Sequence, residues 1–170
     1  SRDRIVTIHR TYISSNGEKA SVSASQVKKV MPTTVQKLTG ESIKVNTAQS
    51  SLVIVAEGIE SALAWVAATE NQYAVYAAIN CYNMGQFKWP KGTKALVIGA
   101  DNDAPNPRSG LRPGLHYATL LNQRASESGI RTKLVIPPVE GIDFDDLWNS
   151  GDCEVFSLHK TKDSLKTLAA

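Results

Sequence analysis

Leu52-Val53-Ile54-Val55-Ala56-Glu57-Gly58-Ile59-Glu60-Ser61-Ala62-Leu63 is the stretch that decides the fold. Its first five residues are all apolar and rich in β-branched side chains, too few for a helix and without the alternation of a strand that shows one face to water. Such a run belongs to a strand covered on both faces, as inner strands of parallel sheets are. At Glu57-Gly58 the spacing changes. Ala62, Leu63, Trp65, Val66 and Ala67 form the apolar side of a helix expected over about 59–69. A buried strand followed by a covering helix is the unit from which open α/β sheets are built.

The same grammar repeats toward the C-terminus. Tyr73 to Ile79, Ala95 to Ala100 and Thr132 to Ile136 are apolar strand candidates, and a second helix is expected from about Pro113 to Ser128, stopped by Gly129. A loop with Gly85, Pro90 and Gly92 joins the second strand to the third. The order β-α-β-β-α-β predicts an open, mainly parallel, Rossmann-like sheet with helices on both faces.

Toward the N-terminus the pattern differs. Ile5 to Ile8 and Thr11 to Ile13 are β-rich, and Ser14-Ser15-Asn16-Gly17 supplies turn chemistry for a hairpin returning over Lys19 to Ser23. Met31-Pro32-Thr33-Thr34 breaks the chain, Ser42 to Val45 is a further short strand, and 46–51 is polar and linker-like. The expected organisation is a small β-rich basic subdomain over 1–50, an α/β domain over 51–150 and a C-terminal extension over 151–170.

Composition bounds the function classes. A chain of 170 residues with 42% hydrophobic content suffices for one domain and a small appendage. No apolar run approaches the ~20 residues that span a bilayer, so the expectation is a cytoplasmic protein without a membrane partner. The sequence opens at Ser1 and not at Met, which fits a segment of a longer protein. Cys81 and Cys153 make no disulfide framework and have no zinc-ligand spacing. The net charge of +3 is unevenly spread: residues 1–50 hold eight Lys or Arg against three Asp or Glu, and the remaining 120 hold eleven against thirteen. A basic front ahead of an acidic body is compatible with a polyanion held by one part and metal-dependent chemistry in the other.

In open α/β sheets ligands bind beyond the carboxyl ends of the strands. Here those ends deliver Glu57, then Asp101 and Asp103, then Asp143, Asp145 and Asp146. Two carboxylates ~4 Å apart repel by about 4 kcal/mol at an effective dielectric near 20, so converging acids need a cation or a proton between them. An all-oxygen set without His or Cys suits Mg²⁺, with Mn²⁺ as substitute. Each group alone also reads as ordinary local structure: Glu57 and Glu60 at a helix start, Asp101 and Asp103 in a turn, Asp143 to Asp146 as a cap and first turn. What favours a site is that all of them fall at successive strand ends.

On these residues the sequence resembles the Toprim domain, the α/β catalytic module of DNA primases, topoisomerases and certain nucleases. The resemblance runs from about Leu52 to Trp148. It rests on a Glu-Gly pair after an apolar strand, Val53-Ile54-Val55-Ala56-Glu57-Gly58, and on Asp-x-Asp after a later one, Val97-Ile98-Gly99-Ala100-Asp101-Asn102-Asp103. Ala56 to Leu63 and Gly141-Ile142-Asp143-Phe144-Asp145-Asp146-Leu147 are most similar to the phage and plasmid primase or primase–helicase type. Less specifically, His9-Arg10-Thr11-Tyr12 looks like the segment that precedes Toprim there.

The resemblance implies that Glu57 is the general acid or base and that Asp101 and Asp103 hold Mg²⁺, with Asp143 and Asp146 as further metal or loop-positioning candidates. It implies nucleotidyl transfer: RNA primers made on a single-stranded DNA template from nucleoside triphosphates. Arg10, Lys28 and Lys29 are candidates for tracking the nucleic-acid backbone. The sequence departs from the family where Pro105 and Pro107 follow the Asp-x-Asp motif and where Asp145 replaces a frequent Asn. It holds no Cys-rich zinc ribbon and no Gly-x-x-x-x-Gly-Lys-Ser/Thr loop, so zinc-binding and helicase domains or partners are expected elsewhere. The alternatives are a Toprim-type nuclease and a non-catalytic DNA-binding or assembly module. A topoisomerase would need a separate DNA-gating domain, and the context of Asp101-Asn102-Asp103 argues against an aspartyl-phosphate phosphatase. His9, His116 and His159 receive no role, Trp65, Trp89 and Trp148 are expected as core or loop anchors, and Asn80 and Asn83 as turn residues.

Overall fold

The computed structural model describes residues 5–23, 27–33 and 37–158, and the chain divides into two compact units, Ser1–Leu38 and Thr39–Ala170. The divide precedes the expected break at residue 50, because Ile43 and Lys44 pair with the sheet of the larger unit. Local sequence gives these residues strand character, but the partner strand decides which unit owns them. Residues 1–4, Thr34 and 159–170, the last including His159 and most of the expected extension, lie outside the described residues.

In the smaller unit, β1 (His9–Thr11) pairs antiparallel with β2 (Lys28–Val30), His9 facing Val30, Arg10 facing Lys29 and Thr11 facing Lys28. The Asn-Gly turn forms as expected: the Ser14 N–H donates to Glu18 O at 2.8 Å, Gly17 takes φ +85°, and Ile13 bridges Lys19. The returning segment leaves the ladder at once, however. The Tyr12 C=O accepts from Ala20 N–H, but its N–H donates to Val27 O, so 28–30 and not 19–23 is the strand beside β1. Ile5 to Ile8 runs ahead of β1, and the Ile8 C=O accepts the Met31 N–H at 2.9 Å, one residue beyond the β1–β2 ladder.

The larger unit is the α/β domain expected. Its elements are β3 (Ile43–Lys44), β4 (Leu52–Ala56), α1 (Ile59–Ala68), β5 (Ala74–Ala77), α2 (Cys81–Gly85), β6 (Ala95–Gly99), α3 (Pro113–Glu127), β7 (Arg131–Val135), α4 (Phe144–Ser150) and a 3₁₀ turn (Glu154–Phe156). The sheet order is β3-β5-β4-β6-β7; β5, β4, β6 and β7 are mutually parallel, and β3 closes one edge antiparallel to β5.

β4 and β6 are buried along their whole length, which explains the unbroken apolar runs. Their side chains alternate between two cores. Leu52, Ile54, Ala56, Ala95 and Val97 join Trp65 of α1, Phe144 and Leu147 of α4 and Phe156. Val53, Val55, Leu96 and Ile98 join Met84 of α2, Phe87, and Ala118, Leu121 and Ala125 of α3. In the first core the Trp65 ring lies 5.3 Å from Phe144 and 4.9 Å from Phe156. Glycine is required at position 99 for this packing, since a Cβ there would stand 2.8 Å from the Trp65 indole nitrogen.

The helix α2 was not expected from sequence. Asn80 caps it by accepting the Asn83 N–H at 2.8 Å. Asn83 is buried and does more than turn the chain: its Oδ1 accepts from Gly40 N–H at 2.6 Å, and its Nδ2 donates to Ala78 O at 2.9 Å and to Glu41 O.

Candidate active site

The sheet order reverses between β4 and β6: the chain leaves β4 for β5 on one side, then returns to β6 on the other. Ligand sites of open sheets sit at this kind of reversal. The two strands run in register, Ala56 beside Gly99, so the residues that follow them emerge as neighbours. These are Glu57 and, after buried Ala100, Asp101.

Neither carboxyl is well solvated. Glu57 Oε2 is buried and has no hydrogen-bond partner. Burial first, and the charge of Asp103 second, raise the Glu57 pKa to about 7, although the Cys81 backbone N–H opposes the shift. That N–H lies two residues beyond Ile79, whose φ of 79° is rare for a β-branched residue and marks local strain where β5 turns into α2. Asp101 is likewise raised to about 7, by burial and then by the charges of Glu57, Asp143 and Asp103, against a long hydrogen bond from Ser61 Oγ at 3.4 Å.

The N-terminal turn of α3 closes one side. A Cβ on Gly114 would stand 3.0 Å from the Asp101 carbonyl oxygen and 3.2 Å from Glu57 Oε2. A side chain here would press on both acids by a few tenths of an ångström, so its absence eases the close approach of the helix. Asp103 is exposed on the loop beyond. Asp143 caps α4 by accepting the Asp146 N–H at 2.9 Å, and Asp146 Oδ2 in return accepts the Asp143 N–H at 3.2 Å. This reciprocal capping box occupies an Asp146 oxygen and fixes Asp143, whose charge reaches Asp101.

The structure therefore gathers Glu57, Asp101, Asp103 and Asp143 into one field. Asp146 is exposed and engaged at the start of α4. Arg10, Lys28 and Lys29 belong to the smaller unit, where Arg10 and Lys29 face one another across the ladder and the Arg10 guanidinium lies 5.6 Å from the Tyr12 ring centroid. Like charges directly opposite in a sheet destabilise it, so an anion on that face would strengthen the ribbon.

A divalent cation fits the donor set. Glu57 Oε2 lacks a partner, neighbouring acid charges raise the proton affinity of Glu57 and of Asp101, and every donor is a hard oxygen. Among the described residues no three such side chains are gathered closely enough to enclose a metal by themselves. Mg²⁺ keeps several waters and shares its coordination between one or two carboxylates and substrate phosphates.

Residues that the sequence did not single out also shape the site. Ser61 lies in the Glu57–Ala62 string, where its distance from the strand end was the available cue. Pro113-Gly114 carries the sign of a helix start, Pro at the first position, but nothing local shows what Gly114 faces.

Comparison with known proteins agrees with the fold. The family model described as Toprim domain matches residues 52–152. Among solved structures, a crystal structure of a DNA primase domain from Pseudomonas aeruginosa superposes with a TM-score of 0.52 at 14% sequence identity, over 98% of this chain and 51% of that one. The chain thus spans about half the length of that structure, and at this identity the likeness is one of fold. No curated protein matches the sequence.

Proposed function

This chain belongs to the Toprim domain family, and from that premise we propose that it is the catalytic core of a Mg²⁺-dependent nucleotidyl transferase on nucleic acid, a DNA primase of the phage or plasmid type. Its substrates are then nucleoside triphosphates and a single-stranded DNA template in the cytoplasm, with zinc-binding and helicase functions supplied by other domains or proteins. The observation that carries this proposal is the pair Glu57 and Asp101, both half-buried at the switch point, both pushed up to about 7, with one Glu57 oxygen buried and unpartnered.

Each residue has a task in phosphoryl transfer, which depends on positioning and charge neutralisation more than on covalent help. Glu57, titrating near neutral pH, takes the proton of the attacking hydroxyl at Oε2. Asp101 and Asp103 would hold Mg²⁺ with support from Asp143, while Asp146 keeps Asp143 in place. When bound, the metal neutralises phosphate charge and aligns the attacking and leaving oxygens. Ser61 orients Asp101, and Gly114 leaves the space in which both acids stand. Arg10, Lys28 and Lys29 follow template phosphates by charge.

The test is incubation of the longest natural form with single-stranded DNA, labelled nucleoside triphosphates and Mg²⁺, beside the same reaction on labelled DNA alone. Template-dependent oligoribonucleotides, lost in Glu57→Gln, are expected. Shortened DNA would assign a nuclease instead. Tight DNA binding with neither product would make this an assembly module.

A further inference from the structure

Arg112 stands where local helix energetics do not want it. It is the residue before the first turn of α3, a position that favours Ser, Thr, Asp or Asn, and its side chain makes no capping bond. It also places a cation at the positive end of the helix dipole. Its guanidinium reaches instead across two loops. Nη1 donates to Asn102 Oδ1 at 3.0 Å and to the Asp103 carbonyl at 3.0 Å, and Nη2 pairs with the Glu140 carboxylate. The arginine side chain is only about one-third exposed, at 32%.

Asn102, the middle residue of Asp101-Asn102-Asp103, is held from the other side as well. Its Nδ2 donates to Pro137 O at 2.9 Å, and its carbonyl accepts the Gly141 N–H at 2.7 Å. One connected network thus joins the segment that carries Asp101 and Asp103 to the segment, 137–141, that leads into Asp143. Every bond in it avoids the carboxylates of Asp101, Asp103 and Asp143. The backbones that bear these acids are tied together without the network occupying their carboxylates, although Asp101 accepts a long bond from Ser61 Oγ and Asp143 accepts the Asp146 N–H.

The geometry points to Arg112, through Asn102 and Glu140, as a positioning residue: a clamp that presets the spacing of the two acid-bearing loops, so that a divalent cation meets a site already ordered. It rests on the metal-binding role proposed above. Without the clamp two loops would have to be ordered when the cation binds, and affinity falls by the cost of that ordering.

The test uses the full chain and Mn²⁺ alone, titrated by calorimetry, with amide hydrogen exchange at Gly141 measured in metal-free protein. Arg112→Gln is expected to weaken Mn²⁺ binding about tenfold or more, as loss of groups that orient metal ligands does. It should also speed exchange at Gly141 by about tenfold, since that amide reports the loop-to-loop bond. Arg112→Lys should recover only part of the affinity, because an ammonium does not span the same partners. Glu140→Gln, at an exposed position that does not threaten folding, should show a smaller loss of the same sign, about two- to threefold. Arg108→Gln, on the exposed turn between the motif and α3, should change neither readout. Wild-type binding with Arg112→Gln and Glu140→Gln both unchanged overturns the clamp and leaves the metal site standing. No Mn²⁺ binding by wild type at millimolar concentration overturns the metal site itself, and the clamp with it.

Discussion

The same two strands end in opposite kinds of chemistry. Along Leu52–Ala56 and Ala95–Gly99 every residue is buried and apolar, each side chain falls into one of two cores, and propensity, pattern and packing agree. Beyond the carboxyl ends of the strands the agreement stops. Glu57 holds a buried oxygen without a partner, Ile79 turns at positive φ, and Arg112 stands at a helix start it does not cap. Sequences fold when local choices agree with the global structure, and they break that agreement where function requires it. Here the core supplies the stability that offsets an edge of repelling acids. The two regions therefore predict opposite responses to mutation: changes in the core cost stability, and neutralising the edge costs function while the fold tightens.

The core should give the largest effect. Trp65 is wholly buried against Phe144 and Phe156, and Trp65→Ala should destabilise by about 3–5 kcal/mol. Chemical denaturation would show it as a fall in midpoint with little change in slope. A loss below about 1 kcal/mol would mean that α4 and the 3₁₀ turn are not held through this ring.

Gly114→Ala comes next and separates the regions more sharply. The new methyl must displace the Asp101 backbone at 3.0 Å or the Glu57 carboxylate at 3.2 Å, while alanine is otherwise the better helix former. Mn²⁺ affinity should therefore drop by roughly tenfold, the scale seen when the surroundings of metal ligands shift, with unfolding free energy changed far less than in Trp65→Ala. Unaltered affinity would show that the approach of α3 does not set the position of either acid.

What sequence could show follows the same division. β4 and β6 were legible because burial on both faces writes itself as an unbroken apolar run, and Glu57, Asp101 and Asp103 were legible because they follow such runs directly. The five residues of α2 are too few to carry a helical period. The ownership of Ile43 and Lys44, and the pairing of β1 with 28–30, depend on partners distant in sequence. Arg112 escaped for that reason too: its three partners lie 9, 10 and 28 positions away, on two different loops. Aspartates at a helix start predict a cap without telling whether they also serve a metal, and the capping box at Asp143 and Asp146 leaves both duties in the same four residues.

The smallest effect is a pH slope, and it tests the acid edge alone. In the unfolded chain Glu57 and Asp101 titrate near their ordinary values of 4.5 and 3.8; in the folded protein both hold their protons up to about 7. Between those limits the folded state binds more protons than the unfolded one, so stability falls as pH rises. The contribution is complete below about pH 4 and is lost as pH passes through about 7. In chelator, the Tm should drop by a few degrees between about pH 5 and about pH 8 more than the rest of the protein's titration accounts for. Asp101→Asn removes one of the two groups, so it should flatten the slope and, near pH 8, stabilise the metal-free protein by about 1 kcal/mol. Millimolar Mg²⁺ favours the ionised acids and should flatten the wild-type slope as well, but not that of Asp101→Asn, which has lost a ligand. Parallel slopes for wild type and Asp101→Asn in chelator would show that the edge of the sheet is not under electrostatic load, and the contrast with the core would then rest on shape alone.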